Sequence, residues 1–494
     1  MFSSQGVSLS DVGDIELFAR GDELHLFHLT LPNHDAVQHL VSEDGLSWRR
    51  LPAAIRTGDP GDADDDQIWT MSVTEHDGRY YMLYTALSFS EAGRVQRNAL
   101  ATSDDLLHWE KFAGNPVAEA DPRWYETAPD TAGMVSWRDP KPVKIGETYH
   151  AMVCARENQG PFTRRGAIGV MTSPDMQRWE VHPPLFTPRR WWDLECPQLF
   201  TVAGRWYLTA GIMEDRTQRY WIADQPEGPW RVPAYGGVLA PLGHYAGRVC
   251  DWRGETIYGC WHQPNPVRPS GEPVNSRVDW ARVSNPHGKF IMPPLCLAPR
   301  ADGSLACQPF SGWQHHTGEF APLVPGNRTV NFELPLSEWA VETPAGALEI
   351  AQSRDAFGDF LLEGQLALDA VSGGFVLRSD DTGAGYHIVI TPGSDRVRLI
   401  KWLPTIDRHD QRPWFAYTTI QEGRVIGDLD WHADVDFRLL AAGPYIELTL
   451  AGEIVLAALS GEIQHGRLGF WAESGALRVT IPRIADVQHP AQPR

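Results

Sequence analysis

Five glycine turns, each set between two apolar runs, recur through roughly the first 300 residues and limit this chain to a repeated β architecture. They are Arg20-Gly21-Asp22, Asp77-Gly78-Arg79, Ile145-Gly146-Glu147, Ala203-Gly204-Arg205 and Arg253-Gly254-Glu255. Each reads as strand, tight turn, strand. A Ser/Ala–acidic turn leading to tryptophan follows the first four, at Ser42–Trp48, Ser103–Trp109, Ser173–Trp179 and Ala223–Trp230. These tryptophans lie 61, 70 and 51 residues apart and are read as structural, closing the outer hairpin of each unit. About four short strands per repeat predict a five-bladed β-propeller over 1–300. The Pro- and Gly-rich stretch 301–330 reads as a linker. Alternating strands from 331 to 494, without a convincing long helix, predict a β-sandwich.

Composition narrows the function. A formal net charge of −20 argues against nucleic acid and anionic membrane surfaces as partners. The six cysteines form no C-x-x-C pair, so zinc is not expected. No apolar run is long enough to span a bilayer. The N-terminus lacks a signal-like basic and apolar pair of regions, which sets the expectation of a cytoplasmic protein with reduced thiols. Twenty tryptophans suit a protein that packs ring faces on sugars, although core packing accounts for most of them. Oligomeric state is not legible.

Three acidic strings stand at the starts of blades one, three and four: Val12-Gly13-Asp14-Ile15, Trp137-Arg138-Asp139-Pro140 and Asp193-Leu194-Glu195-Cys196-Pro197. Asp14 and Asp139 lie seven residues before their turn glycine and Glu195 nine before. Side chains alternate with period two along a strand, so these offsets place all three carboxylates on one face, toward the propeller axis. Asp11, ten residues before Gly21, falls on the opposite face. Convergent carboxylates are what glycosidic bond cleavage requires: one protonates the leaving oxygen, another attacks the anomeric carbon or activates water. Trp191, Trp192 and Cys196 are expected to desolvate Glu195 and raise its pKa, fitting it as acid/base. Arg138 is expected to keep Asp139 ionised. Gly13 is expected to let a substrate approach Asp14, the nucleophile candidate. Trp69 and Tyr245, each nine residues before a turn glycine, join Arg138 and Trp192 as candidate substrate contacts. His39 and His244 read as structural, and the run Asp62, Asp64, Asp65 and Asp66 as a solvated loop rather than a calcium site.

Arg138-Asp139-Pro140 and Glu195-Cys196-Pro197 resemble two of the three signature motifs of glycoside hydrolase family 32, the invertase, inulinase and levanase family, in the right order and spacing. The resemblance covers nearly the whole chain, sandwich included. It implies a retaining mechanism on β-fructofuranosides, with Asp14 as nucleophile, Asp139 as transition-state stabiliser, Glu195 as acid/base, a small carbohydrate as substrate, and no cofactor or metal. The chain departs from the family in two places. Gly13-Asp14-Ile15 stands where the family has Asn-Asp-Pro, and Val37-Gln38-His39 where it has Trp-Gly-His. Open alternatives are a fructosyltransferase, a hydrolase of another furanoside such as an arabinofuranoside, and a non-catalytic carbohydrate-binding propeller.

Overall fold

The computed structural model describes residues 2–3, 11–129, 133–263, 290–328, 339–406 and 413–490. The chain divides into two compact units, one ending at Ala306 and one spanning Cys307–Pro490.

The first unit is a five-bladed propeller. Blade 1 is a four-stranded antiparallel sheet of Asp11–Arg20, Glu23–Leu31, Ala36–Ser42 and Arg49–Arg56, and blades 2 and 3 repeat it from Gln67 to Lys111 and from Trp137 to Phe186. Blade 4 has three strands, from Glu195 to Ala223. Blade 5 starts with His244–Trp252 and Glu255–His262. The first strand of each blade touches the first strand of the next, and the fifth touches the first, so these five strands line the axis. Closure is reinforced from the start of the chain: Phe2–Ser3 pairs with Phe290–Ile291, which lies beside Trp261 of blade 5.

Each blade alternates apolar residues on both faces, because both are covered by neighbours. Phe27, Leu29, Val37 and Ile55 of blade 1 pack on Ile68, Met71 and Tyr84 of blade 2. Tyr81 and Leu100 of blade 2 meet Trp137 and Val153 of blade 3. Full burial of such side chains stabilises by about 1.5–3 kcal/mol each. Blades 1 and 5 approach so closely that a β-carbon at Gly259 would stand 2.5 Å from a Leu17 methyl.

The Ser–acidic turns fold by one rule. Asp44 Oδ1 accepts the N–H groups of Leu46 and Ser47 (2.8 and 2.6 Å), Asp105 Oδ1 those of Leu107 and His108 (both 2.8 Å), and Asp175 Oδ1 those of Gln177 and Arg178 (3.0 and 2.9 Å). The carboxylate thereby satisfies turn N–H groups that no strand can reach. Trp109 and Trp179 donate their indole N–H back to Leu106 and Met176. The blade 4 counterpart differs: its turn runs through a cis Gly228–Pro229 bond.

In the second unit, three long strands dominate: Ala340–Phe357, Phe360–Ser379 and Gly466–Asp486. The first half of Phe360–Ser379 pairs with Val435–Ala442 and its second half with Gly385–Thr391, so one strand serves two groups of strands. Phe360, Phe375, Phe437, Phe470 and Leu448 share the core they enclose. Of the stretch 301–330, read from the sequence as a linker, Leu305–Gln308 joins the blade 5 sheet, while Ala321–Pro322 and Pro325–Arg328 pair with strands of the second unit. The expected sandwich start at 331 lies outside the described residues.

Candidate active site

Every axial strand is broken by a β-bulge near its start. The register slips between Val12 and Ile15, Trp69 and Met71, Arg138 and Lys141, Glu195 and Gln198, and Tyr245 and Arg248. Asp139, Cys196 and Ala246 take left-handed φ values of 60°, 47° and 50° within these slips. A bulge inserts an extra residue and re-aims the neighbouring side chains. This corrects the alternation argument. The turn glycine is the first residue of the two-residue turn in blades 1 and 3 but the second in blade 4. Counted from the last paired residue, Asp14 and Asp139 lie six back and Glu195 seven back, out of phase by one. The bulges, not uninterrupted period-two alternation, bring the three acids together.

Their bonding shows the convergence. Asp14 Oδ2 accepts a hydrogen bond from Thr70 Oγ1 of blade 2, and Asp14 Oδ1 accepts one from Trp261 Nε1 of blade 5 at 3.0 Å. Asp139 Oδ2 accepts the Cys196 backbone N–H at 2.9 Å, while the Asp139 N–H donates to Thr85 Oγ1 at 3.0 Å. Asp139 Oδ1 is buried without a hydrogen-bond partner. Glu195 Oε1 accepts from Arg138 at 2.8 Å, and Oε2 from the Tyr245 hydroxyl. Asp139 is fully enclosed, whereas Asp14 and Glu195 retain some accessible surface.

The electrostatics reverse the expected order of proton affinities. Burial raises Asp139 to about 6 against the pull of Arg138, with repulsion from Asp14 and Glu195 adding to the rise. Burial raises Asp14 as well, offset in part by the Thr70 and Trp261 hydrogen bonds. Burial also works against the Glu195 charge, but Arg138, Arg216 and the Tyr245 hydroxyl outweigh it and leave Glu195 below its ordinary value. The expected desolvation of Glu195 is present. What sequence reading missed is that the Arg138 guanidinium turns past its own neighbour, 3.5 Å from Asp139, to bond Glu195 and Asp193.

Of the candidate substrate contacts, Arg138 and Tyr245 bond Glu195 directly. Trp69 is half-buried, donates to Gln67 at 2.7 Å and stacks on His34 with centroids 4.8 Å apart. Trp192 packs on Phe162 and under the Arg156 guanidinium, 5.2 Å from its ring. Gly13 does not open the site to a substrate as expected: a β-carbon there would meet Leu31 Cγ at 2.9 Å and Leu29 Cβ at 3.1 Å, inside blade 1. His39 stacks on Phe27 and bonds His25, His244 bonds the Pro241 carbonyl, and burial pushes both down to about 3, so both are neutral packing residues. The acidic run is partly buried rather than a solvated loop: Asp64 is enclosed, 2.5 Å from Lys111 and bonded by Tyr84.

Thr70, Trp261, Asp193, Arg216 and Arg248 escaped sequence reading. Arg248, fully buried, donates to the Cys196 and Pro197 carbonyls at 3.1 and 2.9 Å and so holds the blade 4 bulge from blade 5. Asp193 was visible two residues before Glu195, but its partners were not. Asp14, Asp139 and Cys196 present ligand-type atoms within 4.8 Å of one another. Burial and the adjacent aspartates hold the Cys196 thiol well above its ordinary value.

Comparison with known proteins agrees with this geometry. Residues 16–229 match the model of the glycosyl hydrolases family 32 N-terminal domain, a span that includes Asp139 and Glu195 and begins just after Asp14. A β-fructofuranosidase, insoluble isoenzyme 7, of Oryza sativa subsp. indica is 34% identical over 173 residues, 34% of this chain and 26% of the relative, so the match spans about a quarter of that protein's length. In fold, the chain is similar to fructan 1-exohydrolase IIa from Cichorium intybus (TM-score 0.67, 16% identity, 99% of this chain and 96% of that one). It is similar also to sucrose-6-phosphate hydrolase from Lactobacillus gasseri (TM-score 0.67, 18% identity, 97% and 91%). Residues 16–229 thus resemble the glycosyl hydrolases family 32 N-terminal domain, and the chain shares the fold of these two solved structures.

Proposed function

We propose that this protein is a retaining glycoside hydrolase acting on β-fructofuranosides such as sucrose or short fructooligosaccharides. The observation that carries the reading is the meeting of Asp14, Asp139 and Glu195, from three blades, with different partners on each carboxylate. Support for the substrate class comes from relatives bearing β-fructofuranosidase and fructan exohydrolase names, one of them solved with 1-kestose.

Asp14 is the nucleophile. Its two oxygens are oriented by Thr70 and Trp261, which fixes the attacking lone pair and costs no reorganisation during the reaction. Glu195 gives its proton to the glycosidic oxygen as Asp14 forms an ester bond to the anomeric carbon and the C–O bond to the leaving alcohol breaks. Glu195, now a carboxylate, takes a proton from water, whose oxygen attacks the anomeric carbon and releases Asp14. Two displacements restore the β configuration. Arg138 and Tyr245 hold Glu195 in place through both steps. In the open site they favour its charged form; a sugar ring covering the funnel removes water from it and raises its proton affinity. Asp139, enclosed beside Asp14 and Glu195, balances as a carboxylate the positive charge developing on the ring.

Incubation with a panel of β-fructosides, followed by proton NMR in the first minutes, tests the reading. Early release of β-fructofuranose is expected. An α-anomer as first product overturns the covalent route. Binding without cleavage across the panel points instead to a carbohydrate-binding propeller. Fructosylated sucrose, in place of free fructose, identifies a transferase.

A further inference from the structure

Arg138 is held in a closed ring of hydrogen bonds that the proposed reaction does not itself require. Its Nη1 donates to Ser136 Oγ at 2.8 Å, and Ser136 Oγ donates to Asp193 Oδ1 at 3.2 Å. Asp193 Oδ2 accepts from Arg138 Nη2 at 2.9 Å. That same Nη2 reaches Glu195 Oε1 at 2.8 Å. One nitrogen is therefore shared between a carboxylate with a proposed role in the reaction and one without. Behind Asp193 stands Arg156, fully buried, with Nε 3.7 Å from Asp193 Oδ1. Ser136, Arg138, Arg156 and Asp193 are each at most 3% exposed.

A buried carboxylate between two guanidinium groups has a stabilising reading, but buried ion pairs are weak evidence for stability, because desolvation offsets most of the attraction. The geometry is better explained by orientation. An arginine side chain has several rotatable bonds, and bonds to Ser136 and Asp193 fix the plane of the guanidinium. Glu195 projects from a bulge in another blade, so a small rotation of Arg138 would move its donor away from Oε1. Asp193 also divides the Arg138 charge, so that Glu195 faces a partly neutralised cation.

We propose that Asp193 is a positioning residue: it clamps Arg138 against Glu195 and limits how strongly Arg138 holds Glu195 in its charged form. The proposal rests on the reading of Glu195 as acid/base. The other groups facing Glu195 are Asp139 and Cys154 from blade 3, Asp14 from blade 1, Arg216 and Cys196 from blade 4, and Tyr245 from blade 5. Arg138, Arg156, Cys154 and Glu214 face Asp193. None of these other groups touches both Asp193 and the Glu195 carboxylate as Arg138 does.

The test compares wild type, Asp193→Asn and Arg156→Gln on a fructoside that wild type cleaves, recording kcat/KM against pH and thermal stability. Asparagine keeps the shape and one of the two acceptor oxygens, enough to bond Arg138 Nη2, but removes the charge, so Arg138 acts more fully on Glu195. The alkaline limb of kcat/KM, where the acid loses its proton, then moves to lower pH, and activity at pH 7 falls about tenfold. Removing the Arg156 charge lets Asp193 draw more on Arg138, and the same limb moves to higher pH. Opposite shifts support the proposal. If one variant does not fold, the sign of the shift in the other decides. Limbs unmoved from wild type, with activity falling only in proportion to folded protein, overturn it and leave Asp193 structural. A wild type inactive on every fructoside overturns the enzyme reading itself, a result separate from either.

Discussion

Cys196 donates its backbone N–H to Asp139 Oδ2 at 2.9 Å, joining the bulge of blade 4 to the bulge of blade 3. Both residues have left-handed φ values, and both sit where an axial strand loses register. Asp139 tolerates this backbone because aspartate is among the residues that adopt it most readily. The distorted segment is thus the part of the propeller that carries the acids, and Arg248 braces it from blade 5 through the Cys196 and Pro197 carbonyls.

Glu195→Gln removes the transferable proton while keeping the contacts to Arg138 and Tyr245 close to their present form. Activity on fructosides is expected to fall by about 10²–10⁴-fold, the usual contribution of a general acid/base. Steady-state kinetics beside a thermal melt checks this; undiminished kcat would exclude Glu195 from the chemistry.

Tyr245→Phe deletes one hydrogen bond to Glu195 Oε2 and leaves the ring packing in place. The hydroxyl favours the charged carboxylate, so its loss raises the Glu195 proton affinity. The alkaline limb of the kcat/KM profile should move to higher pH, with kcat lowered about tenfold by looser orientation. A pH–rate series on both proteins reads the shift.

Asp139→Asn should stabilise the protein while abolishing its activity. Folded Asp139 keeps its proton until about pH 6, against an ordinary value of 3.8. Between these values the folded state holds more protons than the unfolded one. The stability gained from that proton is complete below the unfolded value and lost as pH rises through about 6. A neutral amide avoids this loss, so the variant should melt a few degrees (on the order of 2–4 °C) above wild type at pH 7.5 and close to it at pH 4. Calorimetry at the two pH values tests the difference; equal melting at both would show that Asp139 is not held as an unfavourable charge.

Gly13→Asn, which would bring Gly13-Asp14-Ile15 one residue closer to Asn-Asp-Pro, should not yield a better enzyme. Its β-carbon meets Leu31 Cγ at 2.9 Å, so the side chain must displace the blade 1 interior. A loss of about 1–3 kcal/mol is expected from overpacking. Adding Leu31→Ala should recover part of it, as urea denaturation of the single and double variants would show.

What the sequence determined by itself was whatever a short segment can encode. The five glycine turns specify the blade count, and the Ser–Asp–Trp turns work through contacts two or three residues apart, as between Asp105 and His108. The strings holding Asp139 and Glu195 were legible for the same reason. Tertiary structure decided the rest, since the partners are remote along the chain. Arg138 and Glu195 lie 57 residues apart, Thr70 and Asp14 56, and Trp261 and Asp14 247. No local pattern could show that Arg138 turns to Glu195, that Glu195 therefore sits below its ordinary proton affinity while Asp139 rises, or that the space at Gly13 belongs to Leu31. Even the facing of the acids depended on bulges, which are defined only by a partner strand. Proton affinity is set by burial and by the charges within a few ångströms, and in this propeller many of those are remote along the chain, as Arg138 is from Glu195 and Asp14 from Asp139.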